Sequence, residues 1–258
     1  MNILITGGNG YIAKSIYNTL KSKYNITIIT RSECDLTNSS AVNLFFSDKW
    51  FDVVIHCAVK GGSRLQKDNW DIMDINLSMY YNLLSNKNHY DKFIHFGSGA
   101  ELHMKEEPYG FSKNVIRRSI LSKDNFYNVR IFGVFDENEL NTRFIKANIK
   151  KYINKEPILI HENKKMSFFY MKDLIMLIEH LITTDPSKLV KENHCDYTKK
   201  YTLLEIAQII NELENYKVPI LIEKTEPGRD YINEYNTEYG LSYIGLEKGI
   251  IETYNKLK

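Results

Sequence analysis

At 258 residues the chain is long enough for one large α/β domain, or for such a domain with a small appendage, around a sizeable buried core. Its 43% hydrophobic and 26% charged residues are ordinary for a globular protein, and a formal net charge of +2 spread along the chain leaves no basic stripe for nucleic acid. No apolar run approaches the roughly 20 residues that span a bilayer, and Asn2-Ile3-Leu4-Ile5-Thr6 is no signal peptide, so a cytoplasmic location without membrane contact is expected.

Short apolar runs alternate with helix-period segments over the first half, the pattern of βαβ units and a parallel sheet. Ile3–Ile5, Ile26–Ile29, Val53–His56, Phe93–Phe96 and Val129–Phe132 read as buried strands. Between the first two, Ile12, Ile16 and Leu20 recur every four residues as the apolar stripe of a helix. Beyond about residue 150 the pattern is mixed. It gives a strand at Ile158–Ile160, a helix after Asp173, a helix opening at Thr202 with Glu205 as a capping box, a loop at Pro227-Gly228, and a last amphipathic helix over Leu246–Leu257. The fold class is therefore α/β: a Rossmann-type doubly wound parallel sheet over about 1–150, receiving parts of the later chain, with a small mixed substrate-binding part over 151–258. The two parts are expected to interleave around one cleft. Cys34, Cys57 and Cys195 are odd in number and lack metal-ligand spacing, so free thiols and no metal are expected.

Gly7-Gly8-Asn9-Gly10-Tyr11-Ile12-Ala13 follows the first strand directly and runs into the first helix. Gly7 permits a tight turn, Gly10 lets backbone approach a pyrophosphate, and the helix N-terminus offers donors and a favourable dipole. The second strand ends Ile29-Thr30-Arg31-Ser32, without the acidic residue that grips an adenosine ribose. Arg31 either binds a 2′-phosphate there, which favours NADP over NAD, or stands as a solvated loop charge.

Tyrosine followed four residues later by lysine occurs at Tyr17/Lys21, Tyr109/Lys113 and Tyr254/Lys258, so spacing alone selects nothing. Only Tyr109/Lys113 lies downstream of a strand end bearing a serine, Phe96-Gly97-Ser98, at the edge where open parallel sheets place ligands. On one helix face, the Lys113 ammonium favours the Tyr109 phenolate, lowering a pKa that is otherwise about 10, while Ser98 hydrogen-bonds the reacting oxygen.

Over essentially its whole length the sequence resembles the extended short-chain dehydrogenase/reductases, the NAD-dependent epimerase/dehydratase family. The likeness rests on Thr6–Ile12, Asp52–Ala58, Asn76 with Asn82-Leu83-Leu84, Gly97-Ser98-Gly99, Tyr109-Gly110-Phe111-Ser112-Lys113 and Phe168–Leu174. It implies that Gly7, Gly10, Tyr11 and Ile12 hold the pyrophosphate and that Cys57, Ala58 and Val59 line the cofactor. Thr30–Leu36 and Ala58-Val59-Lys60-Gly61-Gly62 look most like the branch of GDP-fucose synthase and dTDP-4-dehydrorhamnose reductase, 4-keto reductases that use NADPH. By that likeness Arg31 meets the 2′-phosphate, and Asp35 with Leu36 the adenine.

Gly99-Ala100 stand where the family's dehydratases carry an Asp-Glu pair, so dehydration is not expected. Where GDP-fucose synthase epimerises with a cysteine and a histidine, this chain places Ala100 and, by a looser alignment, Arg143, neither of which exchanges a carbon-bound proton. His103 is either a substitute acid or a surface or packed histidine. Only ten residues separate Ser98 from Tyr109, a trimmed loop that suits a small or deoxygenated sugar. Arg229 either binds the sugar-nucleotide diphosphate or is solvated. The expectation is an NADPH-dependent reductase of a nucleotide-linked 4-keto-6-deoxy sugar, with family likeness implying a homodimer. The alternatives are an NAD-dependent nucleotide-sugar 4-epimerase and a non-catalytic nucleotide sensor on the same fold.

Overall fold

The computed structural model describes residues 1–63 and 66–258. In chain order β1 (Asn2–Thr6), α1 (Tyr11–Leu20), β2 (Asn25–Ile29), α2 (Ser39–Phe46), β3 (Phe51–His56), α3 (Asp71–Ser85), β4 (Tyr90–Ser98), α4 (Ala100–His103), α5 (Pro108–Leu121) and β5 (Phe126–Ile131) build the first half. There follow β6 (Val134–Phe135), α6 (Phe144–Ile153), β7 (Ile158–Glu162), β8 (Phe169–Tyr170), α7 (Met171–Thr183), β9 (Glu192–His194), α8 (Leu203–Asn211), β10 (Ile220–Lys224) and α9 (Leu246–Leu257).

The six-stranded, mostly parallel sheet runs β2-β1-β3-β4-β5-β9, with helices flanking it in a Rossmann-like arrangement. From β1 the chain moves outward to β2 and then crosses back to β3 on the other side. The carboxyl ends of β1 and β3 therefore form a topological switch point, where such sheets bind ligands. Strands β1 and β3 are almost wholly buried, as parallel strands covered on both faces must be. Strand β2 departs from the buried reading: as the edge strand it pairs on one side only, and of its residues only Ile29 is buried. In α1 the buried stripe is Ala13, Ile16 and Leu20, with Ile12 half-buried in the first turn. Strand β5 starts at Phe126 and ends before Phe132.

The chain divides into two compact units, Met1–Arg130 with Ile178–Asn193, and Ile131–Leu177 with His194–Lys258. The division thus falls at the end of β5 rather than near residue 150, because α6 commits Ile145, Ile149 and Tyr152 to the second unit's core. Residues 178–193 return to the first unit, where the buried Lys92 ammonium donates to the carbonyls of Leu181, Ile182 and Thr184 at the end of α7.

In the second unit α6, α8 and α9 share a core with Phe135, Phe168 and Tyr170. Helix α7 begins at Met171, three residues earlier than a helix after Asp173 would start. Its Asp173 carboxylate accepts the Tyr197 hydroxyl and the N–H groups of Ile244 and Gly245, which fixes the approach to α9. The three cysteines are free, and among the described residues no helix is long and apolar enough to cross a membrane.

Helix α8 starts as its sequence requires: Thr202 Oγ1 accepts the Glu205 N–H at 3.1 Å and the Glu205 carboxylate accepts the Thr202 N–H at 2.7 Å. Thr202→Ala is expected to cost about 1 kcal/mol of stability, read as a lower denaturation midpoint by circular dichroism.

Candidate active site

The turn after β1 is shaped by close backbone approach. Gly7 has φ +71°, and a Cβ there would lie 2.6 Å from the Ala58 nitrogen, so only glycine fits against the end of β3. The Gly8 N–H donates to Ile29 O and the Gly10 N–H to Gly7 O, both at 2.8 Å. Gly10 is the N-cap of α1, in extended conformation; it has no side chain with which to cap the helix, and no acidic residue stands in the first turn. Tyr11 and Ile12 open that turn, half-buried. A helix N-terminus behind a glycine turn at the switch point fits the pyrophosphate of a dinucleotide.

Arg31 stands two residues beyond the β2 carbonyl to which the glycine turn is bonded. Its side chain is 82% exposed and its Nε lies 3.0 Å from the Asp35 carboxylate. The hydroxyl and backbone N–H of Thr37 hold the Asp35 carboxyl below its usual range, with Arg31 adding to the effect. Leu36 is buried against Ile29 and Val42, and its carbonyl accepts the Asn82 amide at 2.8 Å. After β3, Ala58 donates its N–H to Thr6 Oγ1, Val59 is exposed, and burial pushes the Cys57 thiol well up. The glycine turn and Arg31 lie in the first unit, as do Asp35, Leu36 and Cys57-Ala58-Val59.

The catalytic candidates belong to the same unit. Ser98 is the last residue of β4. Its N–H donates to the Glu101 carboxylate at 2.8 Å, and its Oγ accepts the Ala100 N–H at 3.2 Å, which leaves the hydroxyl hydrogen to be donated elsewhere. Pro108 opens α5, placing Tyr109 and Lys113 one turn apart. The Lys113 ammonium lies 5.9 Å from the Tyr109 ring centroid. It donates to Phe96 O at 2.5 Å and sits 3.4 Å from His95 Nε2. Only 4% of Lys113 is exposed, and burial lowers its pKa to about 8 against the opposing pull of Glu101 and Cys57.

Residues with no role in the sequence reading complete the setting. Gly62, at φ +73°, lies so close to the Tyr109 ring that a Cβ would meet Cζ at 2.8 Å, and its N–H is held by the Asp68 carboxylate. Asn76 joins the two sides: it accepts the Lys60 N–H and donates to Lys60 O and Ser112 Oγ, while Ser112 in turn donates to Tyr109 O. Glu101 is fully buried, 3.5 Å from Arg130 and 3.8 Å from Arg117; both arginines also pair with Glu192. Asn76 and Gly62 stood inside the resembling motifs, whereas nothing in the pattern singled out Glu101 or His95.

Ala100 is buried at the start of α4, and His103 is half-buried at its end. Arg143 is the N-cap of α6 and Arg229 is exposed in the loop after Gly228; both belong to the second unit, and Arg229 makes no ion pair among the described residues. No cluster of His, Cys, Asp and Glu among the described residues could hold a metal.

A glycine turn at a sheet switch point is the geometry of a dinucleotide-binding fold, and in the same unit a Tyr/Lys pair lies one helix turn apart near a serine at the end of β4. The chain belongs to the NAD dependent epimerase/dehydratase family, whose match spans residues 3–193, a family of NAD(P)-dependent oxidoreductases and epimerases of nucleotide sugars. Among curated proteins it is 26% identical to the CDP-abequose synthase of Yersinia pseudotuberculosis over 83% of this chain and 85% of that one. In fold it is similar to the GDP-mannoheptose C4 reductase of Campylobacter jejuni with NADP bound, with a TM-score of 0.80 and 17% identity over 98% of this chain and 97% of the other. It is likewise similar to the dTDP-4-dehydrorhamnose reductase of Bacillus anthracis in complex with NADP, with a TM-score of 0.79 and 18% identity over 100% and 98%.

Because the folded pKa of Lys113 lies below its ordinary value of 10.5, the unfolded chain binds the extra proton from about pH 8 upward. Stability must therefore rise with pH through that window. Lys113→Met is expected to lack this contribution, so that denaturant midpoints measured across the window rise less in the variant than in the parent.

Proposed function

We propose that the protein is an NADPH-dependent reductase of a nucleotide-linked 4-keto-6-deoxy sugar. The observation that carries this reading is the buried Lys113 ammonium under the Tyr109 ring, 5.9 Å from its centroid, on a helix that starts beside the serine-bearing strand end. When bound, the nicotinamide supplies hydride to the ketone carbon. Tyr109 donates its phenolic proton to the ketone oxygen, Lys113 stabilises the phenolate left behind, and Ser98 donates a hydrogen bond to the same oxygen. Gly7, Gly10, Tyr11 and Ile12 hold the pyrophosphate, and Cys57, Ala58 and Val59 line the cofactor. Arg31 turns its remaining N–H donors to the 2′-phosphate while Asp35 and Leu36 face the adenine, and Arg229 serves the substrate diphosphate.

The names of the related proteins support a nucleotide-sugar substrate and, for two of them, reduction of a sugar carbonyl with NADP as cofactor. Gly99-Ala100 after Ser98 supply no acid–base pair for dehydration, and Ala100 and Arg143 supply no proton exchange at carbon, which favours plain reduction.

Incubation with NADPH and a panel of 4-keto sugar nucleotides is expected to consume NADPH in proportion to substrate, followed by the absorbance of the reduced nicotinamide. A 4-epimerase would turn over without consuming it, and a sensor would bind without turnover. Tyr109→Phe is expected to lower kcat by at least about 100-fold, and Arg31→Ala to weaken NADPH binding about tenfold while leaving NADH binding little changed.

A further inference from the structure

Lys113 is held by an unusual set of groups. The parallel register aligns Thr6 of β1 with His56 of β3, and His56 with His95 of β4, so that three polar side chains stand in one row across the buried end of the sheet. His56 Nδ1 is 2.9 Å from Thr6 Oγ1, and the two imidazoles stack with centroids 5.5 Å apart. His95, 1% exposed, puts Nε2 3.4 Å from the Lys113 ammonium, while its Nδ1 has no hydrogen-bond partner among the described residues. An ammonium only donates, so Nε2 must accept and the proton must reside on Nδ1. Burial and the neighbouring ammonium keep His95 neutral, and His56 likewise, with a pKa of about 3.

We propose that His95 is a positioning residue for Lys113: a neutral acceptor that fixes the ammonium beneath Tyr109 without cancelling its charge. This rests on the reductase reading for its catalytic meaning, whereas the His95–Lys113 contact is given by the fold itself. Among the described residues the other titratable groups around Lys113 are His56 and Cys57 from β3 and its end, Glu101 from α4, and Tyr109 on α5, while Tyr80 of α3 packs edge-on against His95. The one carboxylate in that set, Glu101, is already engaged by the Ser98 N–H and lies beside Arg130 and Arg117. A carboxylate in the place of His95 would hold the lysine equally well but would quench the field that the phenolate needs. Phe96 O and His95 Nε2 are both uncharged, so the full charge of Lys113 remains available to Tyr109.

The test follows the Lys113 13Cε resonance through a pH titration of the ligand-free protein, assigned by its absence from Lys113→Arg, together with the pH profile of kcat. Removing an acceptor from a buried ammonium disfavours its charged form, so His95→Leu is expected to lower the Lys113 midpoint and the alkaline limb of kcat by about one pH unit. His95→Gln, which keeps an acceptor without an ionisable ring, should restore most of both; His95→Glu should raise the Lys113 midpoint while lowering kcat. The proposal is overturned if His95→Leu and His95→Gln behave alike, or if neither moves the Lys113 midpoint. Should the parent reduce no sugar nucleotide while the midpoint still shifts, the reductase reading fails and the positioning role stands. If His95→Leu does not fold, His95→Asn, too short to reach the ammonium, takes its place in the comparison.

Discussion

The site depends on keeping one ammonium charged inside a protein core. Lys113 is buried, and desolvation works against its charge; set against that are the Phe96 carbonyl, an imidazole nitrogen and the longer-range field of Glu101. The outcome is a lysine poised near about pH 8, charged at neutrality but only narrowly. Such a group is a strong influence on a neighbouring phenol because no described residue of opposite charge touches it. The packing of β3, β4 and α5 around it thus sets the electrostatics of Tyr109 before any ligand arrives.

A second constraint is backbone proximity. The glycine turn, the end of β3 and the Gly61-Gly62 segment bring main chain to main chain and main chain to aromatic ring at distances that leave no room for a Cβ at Gly7 or Gly62. Asn76 makes the same economy with one side chain, tying the loop at Lys60 to the helix that carries Tyr109 through Ser112. Rigid elements therefore position the Tyr/Lys pair, and the loop beside it is anchored at several points.

Much of this was legible in the sequence because local chemistry announces it. The glycine turn, the alternation of strands and helices, the Thr202 capping box and the Tyr109/Lys113 pair each leave a pattern within a few residues. What register creates was not legible. His56 and His95 read only as members of apolar strands, since pairing across β1, β3 and β4 decides that they stack and that one of them faces Lys113. Glu101 carried no signal because its partners, Arg117, Arg130 and Asn128, come from α5 and β5. The edge position of β2 and the early division of the chain at Arg130 escaped for a related reason: apolar content marks a strand without saying how many neighbours it has, and the helix at 144–153 shows an apolar face without naming the core it joins.

The arginine and glutamate group below Ser98 has a consequence for how the molecule comes into being. Arg117 and Arg130 are balanced by Glu192, which the chain delivers only when residues 178–193 fold back onto the first unit. During synthesis on the ribosome, the polypeptide through Arg130 already holds the serine, the tyrosine and the lysine, yet it carries two cations beside a single buried carboxylate. The corner around Ser98 should therefore mature late, after about three quarters of the chain has emerged, so that a half-made protein holds these residues without the charge balance that sets their geometry.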